Sequence, residues 1–163
     1  MSEDVTQEQL NDVLDVVADF MEQTLIVLDV GADLEVDLEL RDGVVHGDLD
    51  GDRDDIALLI GKRGQTLDAI QYLANAVVGH SCESPLHVVL DAQGYRERRA
   101  EQLEKIADRA VSTALDERRP YELEPMTASE RKVIHLYLKD HADVATESTG
   151  RDPQRRLVVI PRD

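Results

Sequence analysis

The sequence predicts an α+β protein built of two small units, and three observations carry that prediction. From Glu8 to about Asp29, Leu10, Val13, Leu14, Val17, Phe20, Met21, Leu25 and Leu28 recur at the three-and-four spacing of an amphipathic helix. Leu34 to Leu40 then alternates apolar and acidic residues up to the turn dipeptide Asp42-Gly43, and Val44 to Leu49 can return beside it, so a β-hairpin follows the helix. Finally, Pro120 ends a long helical stretch, after which a second set of short elements begins. A chain of 163 residues with 42% apolar content buries one full core or two small ones, too little for a large catalytic domain.

Each remaining element has its own local signal. Gly31 is the expected stop of the first helix. Asp54 to Ile60 is short and apolar toward its end, Gly61 to Gly64 breaks it, and Leu67, Ile70, Leu73, Ala74, Val77 and Val78 mark the next helix. Pro85 precedes Leu86 to Leu90, an apolar run short enough to be a buried strand. A long helix from Gly94 to about Arg118 keeps Leu103, Ile106, Ala107, Ala110, Val111 and Ala114 on its inner face. Tyr121 to Leu123 reads as a short strand, and Thr127 with Glu130 forms a capping-box pair that opens a helix running to about Lys139. Val144 to Ser148 and Arg156 to Ile160 are two strands around a Gly150 to Gln154 turn. Domains are expected over 1–93 and 94–163, the second beginning with the long connecting helix.

Charge narrows the partners. The net charge of −17 opposes nucleic acid as a whole, but residues 1–60 hold 18 acidic and 2 basic side chains, whereas residues 61–163 hold 17 and 16. A basic patch in the second stretch can therefore meet phosphates while the acidic front repels stray polyanions. No apolar run is long enough to span a membrane, and the acidic opening MSEDVTQEQL is unlike a signal peptide, so a cytoplasmic protein without membrane insertion is expected. Cys82 is the only cysteine, which excludes an intrachain disulfide and a cysteine-rich zinc site.

The residues that can carry function are few. Gly61-Lys62-Arg63-Gly64 sits between two helices, where glycines admit a close approach, the next helix aims free N–H groups at the loop, and two cations stand at the tip. Arg131, His135 and Lys139, four residues apart, share one helix face and predict an exposed cationic stripe, with Val133, Ile134, Tyr137 and Leu138 turned away. Arg151, Arg155, Arg156 and Arg162 follow on the adjoining turn and strands. Ile60, Leu67 and Ile70 suit either an aliphatic base-binding groove or plain core. Asp48, Asp50 and Asp52 resemble the opening of a calcium loop, but Arg53 and Leu59 stand where that loop needs Gly and Glu. No metal, cofactor or catalytic constellation is expected, and one Phe, four Tyr and no Trp exclude a stacked aromatic platform.

The order helix, strand, strand, helix, GxxG, helix, strand matches the variant, type II KH fold, whose loop clamps four nucleotides of backbone. DDIALLIGKRGQTLDAIQYLANAVV with VVLDAQGYRERR resembles the KH part of the bacterial Jag (SpoIIIJ-associated) family, and ERKVIHLYLKD with RRLVVIPR resembles its R-three-H domain. The resemblance implies that Gly61, Lys62, Arg63 and Gly64 clamp single-stranded RNA and that Arg131 and His135 are the pair naming the second domain; by their own positions in the sequence, Lys139, Arg155 and Arg156 are expected to add cations beside that pair. It further implies a non-enzymatic post-transcriptional regulator or RNA chaperone linked to cell elongation and shape, pairing with a small stand-alone KH protein. Members of the family often carry an additional N-terminal Jag domain, and no counterpart of it is expected in this sequence, whose first expected element is the KH helix. An adaptor whose acidic N-terminal half docks a protein, without RNA, is the alternative reading of the same residues.

Overall fold

Thr6 opens the first helix, α1 (Gln7–Val27), with a reciprocal capping box in which its hydroxyl accepts from Gln9 N and Gln9 Oε1 accepts from Thr6 N. The four-residue spacing of Val13, Val17 and Met21 puts all three on the buried side. Strands β1 (Glu35–Arg41) and β2 (Val44–Asp50) pair antiparallel with Leu38 opposite Gly47. Asp42 and Gly43, at φ 51° and 78°, make the two-residue turn with both φ positive that suits a twisted hairpin. Asp52 caps α2 (Arg53–Ile60), a single 3-10 turn covers Lys62–Gly64, and α3 (Gln65–Ser81) follows directly. The chain then returns as β3 (His87–Ala92), parallel to β2, giving the order β1-β2-β3. A parallel return requires a crossover of this length, which α2 and α3 supply.

In this computed structural model, the described residues are 6–31, 33–82 and 85–162. The first five residues of the acidic opening, together with Asp163, belong to the domain ranges expected from sequence and lie outside the described residues. The backbone divides into two compact units, Met1–Arg96 and Glu97–Asp163. The first is a mixed α/β unit whose core joins Val13, Val17 and Met21 to Leu49, Leu59, Leu67, Val78 and Leu90. Leu67 has no exposed surface, so truncating it to Ala costs about 2–5 kcal/mol.

The second unit is framed by α4 (Tyr95–Glu117), which enters it after its first two residues. Ala107, Ala110 and Ala114 line the inner face of this helix and are buried with Leu103 and Val111 in the core of the unit. Strand β4 (Tyr121–Glu122) leads to α5 (Ala128–Tyr137), β5 (Val144–Thr149) and β6 (Arg156–Pro161). The antiparallel order is β4-β6-β5, with β6 in the centre. Leu157 and Val159 belong to the core of this unit, and Val158 between them is buried as well. In β3 burial alternates, with His87 exposed between buried Leu86 and Val88.

Candidate nucleic-acid interface

The first unit places the glycine-bounded loop where the sequence expects it, between α2 and α3. Gly61 ends α2 by donating its N–H to Ala57 O at 2.9 Å, and takes φ 68° with ψ −169°, a region that only glycine enters readily. A Cβ at this position would lie 2.0 Å from Thr66 Oγ1. Gly64, at φ 80°, is buried beneath the Tyr95 ring, whose Cε1 would sit 2.8 Å from a Cβ there. Arg63 between them also has positive φ, 56°, a conformation that costs a non-glycine residue about 1–2 kcal/mol. Glycines thus hold a tight turn that leaves Lys62 and Arg63 exposed at its tip.

The next helix adds to that field. Gly64 is the N-cap of α3 and has no side chain to cover its first amides, so the positive end of the helix dipole opens beside the two cations. Asp68 in the first turn would oppose an anion, but Arg96 Nη1 lies 2.9 Å from its Oδ1 and offsets the charge. Leu67 and Ile70 are buried in the core; Ile60 is half-buried. Asp52, in the stretch with the calcium-like spacing, instead caps α2, accepting from Asp54 N at 2.9 Å.

The cationic stripe of the second unit is not what the spacing predicts. Arg131 is buried, its side chain 7% exposed, and its Nη1 donates to Met126 O at 2.7 Å and reaches Asp152 Oδ1 at 3.4 Å. The capping box explains the inward placement. Thr127 opens α5, Glu130 turns back to accept from Thr127 N at 3.0 Å and also binds Arg99, and the next residue, Arg131, lies under the incoming chain. His135 is exposed, but its Nδ1 is 2.6 Å from Thr146 Oγ1 on β5. Lys139 lies beyond the end of α5, in the turn that follows, so a helical stripe through it does not form. Tyr137, assigned to the inner face by its spacing, is exposed and donates to Asp108 Oδ1 at 3.1 Å, which together with the nearby negative charge raises its phenol pKa.

Of the downstream arginines, Arg155 is joined through its backbone to the segment that holds Arg131. Met126, whose carbonyl takes Arg131, gives its own N–H to Arg155 O at 3.1 Å. Arg155 Nε is buried without a hydrogen-bond partner, the one such side-chain atom among the described residues. Arg156 is committed elsewhere, to Glu122 on β4 at 3.2 Å. Arg151 and Arg162 are exposed, and Arg162 Nη1 donates to Ala142 O. Among the described residues no three His, Cys, Asp or Glu side chains gather as a metal site, and no helix is long and apolar enough to cross a membrane. Burial pushes the Cys82 thiol pKa up, leaving it a weak nucleophile.

Comparison with protein families places these two regions. A KhpA/KhpB KH-domain family matches residues 15–90, and the R-three-H domain family matches residues 101–161. The chain carries a KhpA/KhpB-type KH domain and an R-three-H domain. Proteins named RNA-binding protein KhpB resemble it over most of its length: the one from Clostridium symbiosum is 37% identical over 145 residues, covering 89% of this chain and 64% of that protein. The Lactiplantibacillus plantarum protein is 38% identical over 146 residues, 90% of this chain and 44% of its own length, and the Bacillus subtilis protein is 39% identical over 105, or 63% and 50%. The chain thus spans about half to two thirds of these relatives. Their names describe binding proteins and not enzymes.

Three residues beside the KH loop escaped the sequence reading: Gln71, Asn75 and Arg96. Polar residues four apart on the sheet-facing side of a helix look like solvated positions until the strand they face is known.

Proposed function

We propose that the chain binds single-stranded RNA, with the KH loop as the phosphate clamp. The observation that carries this reading is the exposure of Lys62 and Arg63 on a turn that glycines hold against the N-terminus of α3, whose cap residue has no side chain. Phosphate oxygens suit both features, since cations and helix N-terminal amides each favour negative charge. His135, Arg151 and Arg155 of the R-three-H domain form the second contact in this reading, and two linked contacts on one strand strengthen each other through proximity. The names of the KhpB relatives support the same ligand. By family resemblance the role extends to post-transcriptional regulation or RNA chaperoning in the cytoplasm, with an effect on cell elongation and shape.

A protein partner is favoured by a separate observation. Phe20, Thr24 and Val27 of α1, Leu28 at its end, and Ala69, Ile70 and Leu73 of α3 line an apolar groove of about 370 Å³, and Val27 and Leu73 are both more than half exposed. Such a surface suits association, and in this reading a small stand-alone KH protein occupies it alongside RNA binding.

Titrating single-stranded RNA by fluorescence anisotropy at several salt concentrations tests the clamp. With about three to five phosphates contacted, log K falls with log salt at a slope of about −2 to −4. A flat response would sink the proposal.

A further inference from the structure

β3 stands at one edge of the KH sheet, and an edge strand normally offers its outward N–H and C=O groups to any partner that can pair with them. Here side chains occupy those groups. Asn75 pairs with Val88 as another strand would: Val88 N donates to Asn75 Oδ1 at 2.9 Å, and Asn75 Nδ2 donates to Val88 O at 2.7 Å. Its Nδ2 also donates to Gln71 O at 2.9 Å, which holds the carboxamide in that orientation. Two residues along, Leu90 N donates to Gln71 Oε1 at 2.9 Å and Arg96 Nε donates to Leu90 O at 2.8 Å. Arg96 Nη2 binds the same Gln71 oxygen at 3.0 Å, while Nη1 is held by Asp68. At the next outward position, Ala92 N donates to Asp91 Oδ1 at 2.9 Å.

This edge adjoins the phosphate loop. Asp68 and Gln71 lie in the first two turns of α3, immediately after Gly64, and Tyr95, next to Arg96, covers Gly64 with its ring. Single-stranded RNA is read by hydrogen bonds to splayed bases, and an open strand edge beside the loop would supply donors and acceptors for that purpose. We infer that Gln71, Asn75 and Arg96 plug the β3 edge against base readout, so that RNA held at the Gly61–Gly64 loop is gripped by its backbone with little regard to base. The inference rests on the RNA-binding reading above. A base edge offers about two or three hydrogen-bonding groups, whereas opening the edge breaks both bonds of Val88 and both bonds of Leu90 along with the Gln71–Arg96 link. The exchange favours the plug.

The test is anisotropy with oligo(A), oligo(C) and oligo(U) of about ten nucleotides. The three affinities agree within about threefold if the edge is closed, whereas reading even one base pattern separates them by about fivefold or more. A larger spread among oligonucleotides that all bind the wild-type protein overturns the plug and leaves RNA binding standing. If no oligonucleotide binds, the RNA-binding reading falls and the plug's role falls with it. Asn75→Leu combined with Gln71→Leu uncovers Val88 and the N–H of Leu90, and the spread among the three oligonucleotides should widen; an equal spread in a folded variant counts against the inference. Should that variant fail to fold, amide spectra of the wild-type protein decide. On adding RNA, the Gly61–Gly64 amides shift and those of Val88 and Leu90 stay in place, and the opposite pattern overturns the plug.

Discussion

The KH loop and the Arg131–His135 pair both present cations at motif spacing, yet they use them in opposite ways. At the loop, glycines and a strained Arg63 backbone perform the structural task, which leaves Lys62 and Arg63 at the surface. In the R-three-H domain the arginine itself performs it: Arg131 ties the Met126 carbonyl to the Asp152 turn from a buried position. Burial separates the two roles. A surface cation stays open to solvent and to an arriving phosphate, whereas a buried one cannot release its partners without leaving a charge uncompensated. An arginine in a motif is therefore not by itself a ligand contact.

The largest effect expected from this contrast is at the loop. Changing Lys62 and Arg63 together to Asp reverses both charges and lowers affinity for single-stranded RNA by on the order of a hundredfold, while an exposed site alters stability by about 0.5 kcal/mol or less. Anisotropy and a thermal melt measure the two together; full binding by the folded double variant makes the loop a mere turn.

Arg131→Ala should show the reverse pattern. Removing a buried cation and the partner of the Met126 carbonyl costs about 2–4 kcal/mol, visible as a lower urea midpoint, and Arg131→Lys restores only part because the strongly hydrated ammonium is costlier to bury than guanidinium. A normal midpoint with lost RNA affinity would move Arg131 to the binding surface and erase the comparison.

Gly64→Ala sharpens the other side of it. The substitution forces a side chain into left-handed backbone and against Tyr95, and is expected to destabilise the KH domain by about 1–3 kcal/mol. Because the tip depends on this turn, RNA affinity falls as well; an unchanged denaturation curve would show that the turn can relax.

The smallest effect concerns Tyr137. Its hydroxyl donates to Asp108, so the phenolate is disfavoured and ionisation is displaced upward. Asp108→Ala should bring one of the chain's four tyrosines back toward a pKa of about 10 in an absorbance titration, with little change in melting temperature. Four transitions unaltered by the substitution would mean that this pair does not persist in solution.

Local pattern alone determined a good deal about this protein. Helical spacing, the Asp42-Gly43 turn, the glycines around Lys62-Arg63 and the Thr127–Glu130 capping box are short-range matters of backbone sterics and hydrogen bonding, and the elements formed where those signals lie. Spacing likewise put Val13, Val17 and Met21 on one inner face. Tertiary structure decided what each polar side chain does. Arg131 and Lys139 are compatible with a stripe on an ideal helix, but α5 ends at Tyr137 and Arg131 is buried against the Met126 carbonyl and Asp152, contacts made across the fold and invisible in spacing. Gln71 and Asn75 read as ordinary helix positions until β3 lies beside them. The reason is physical: periodicity reports which way a residue points relative to its own element, whereas burial and hydrogen-bond partners depend on what other part of the chain arrives there.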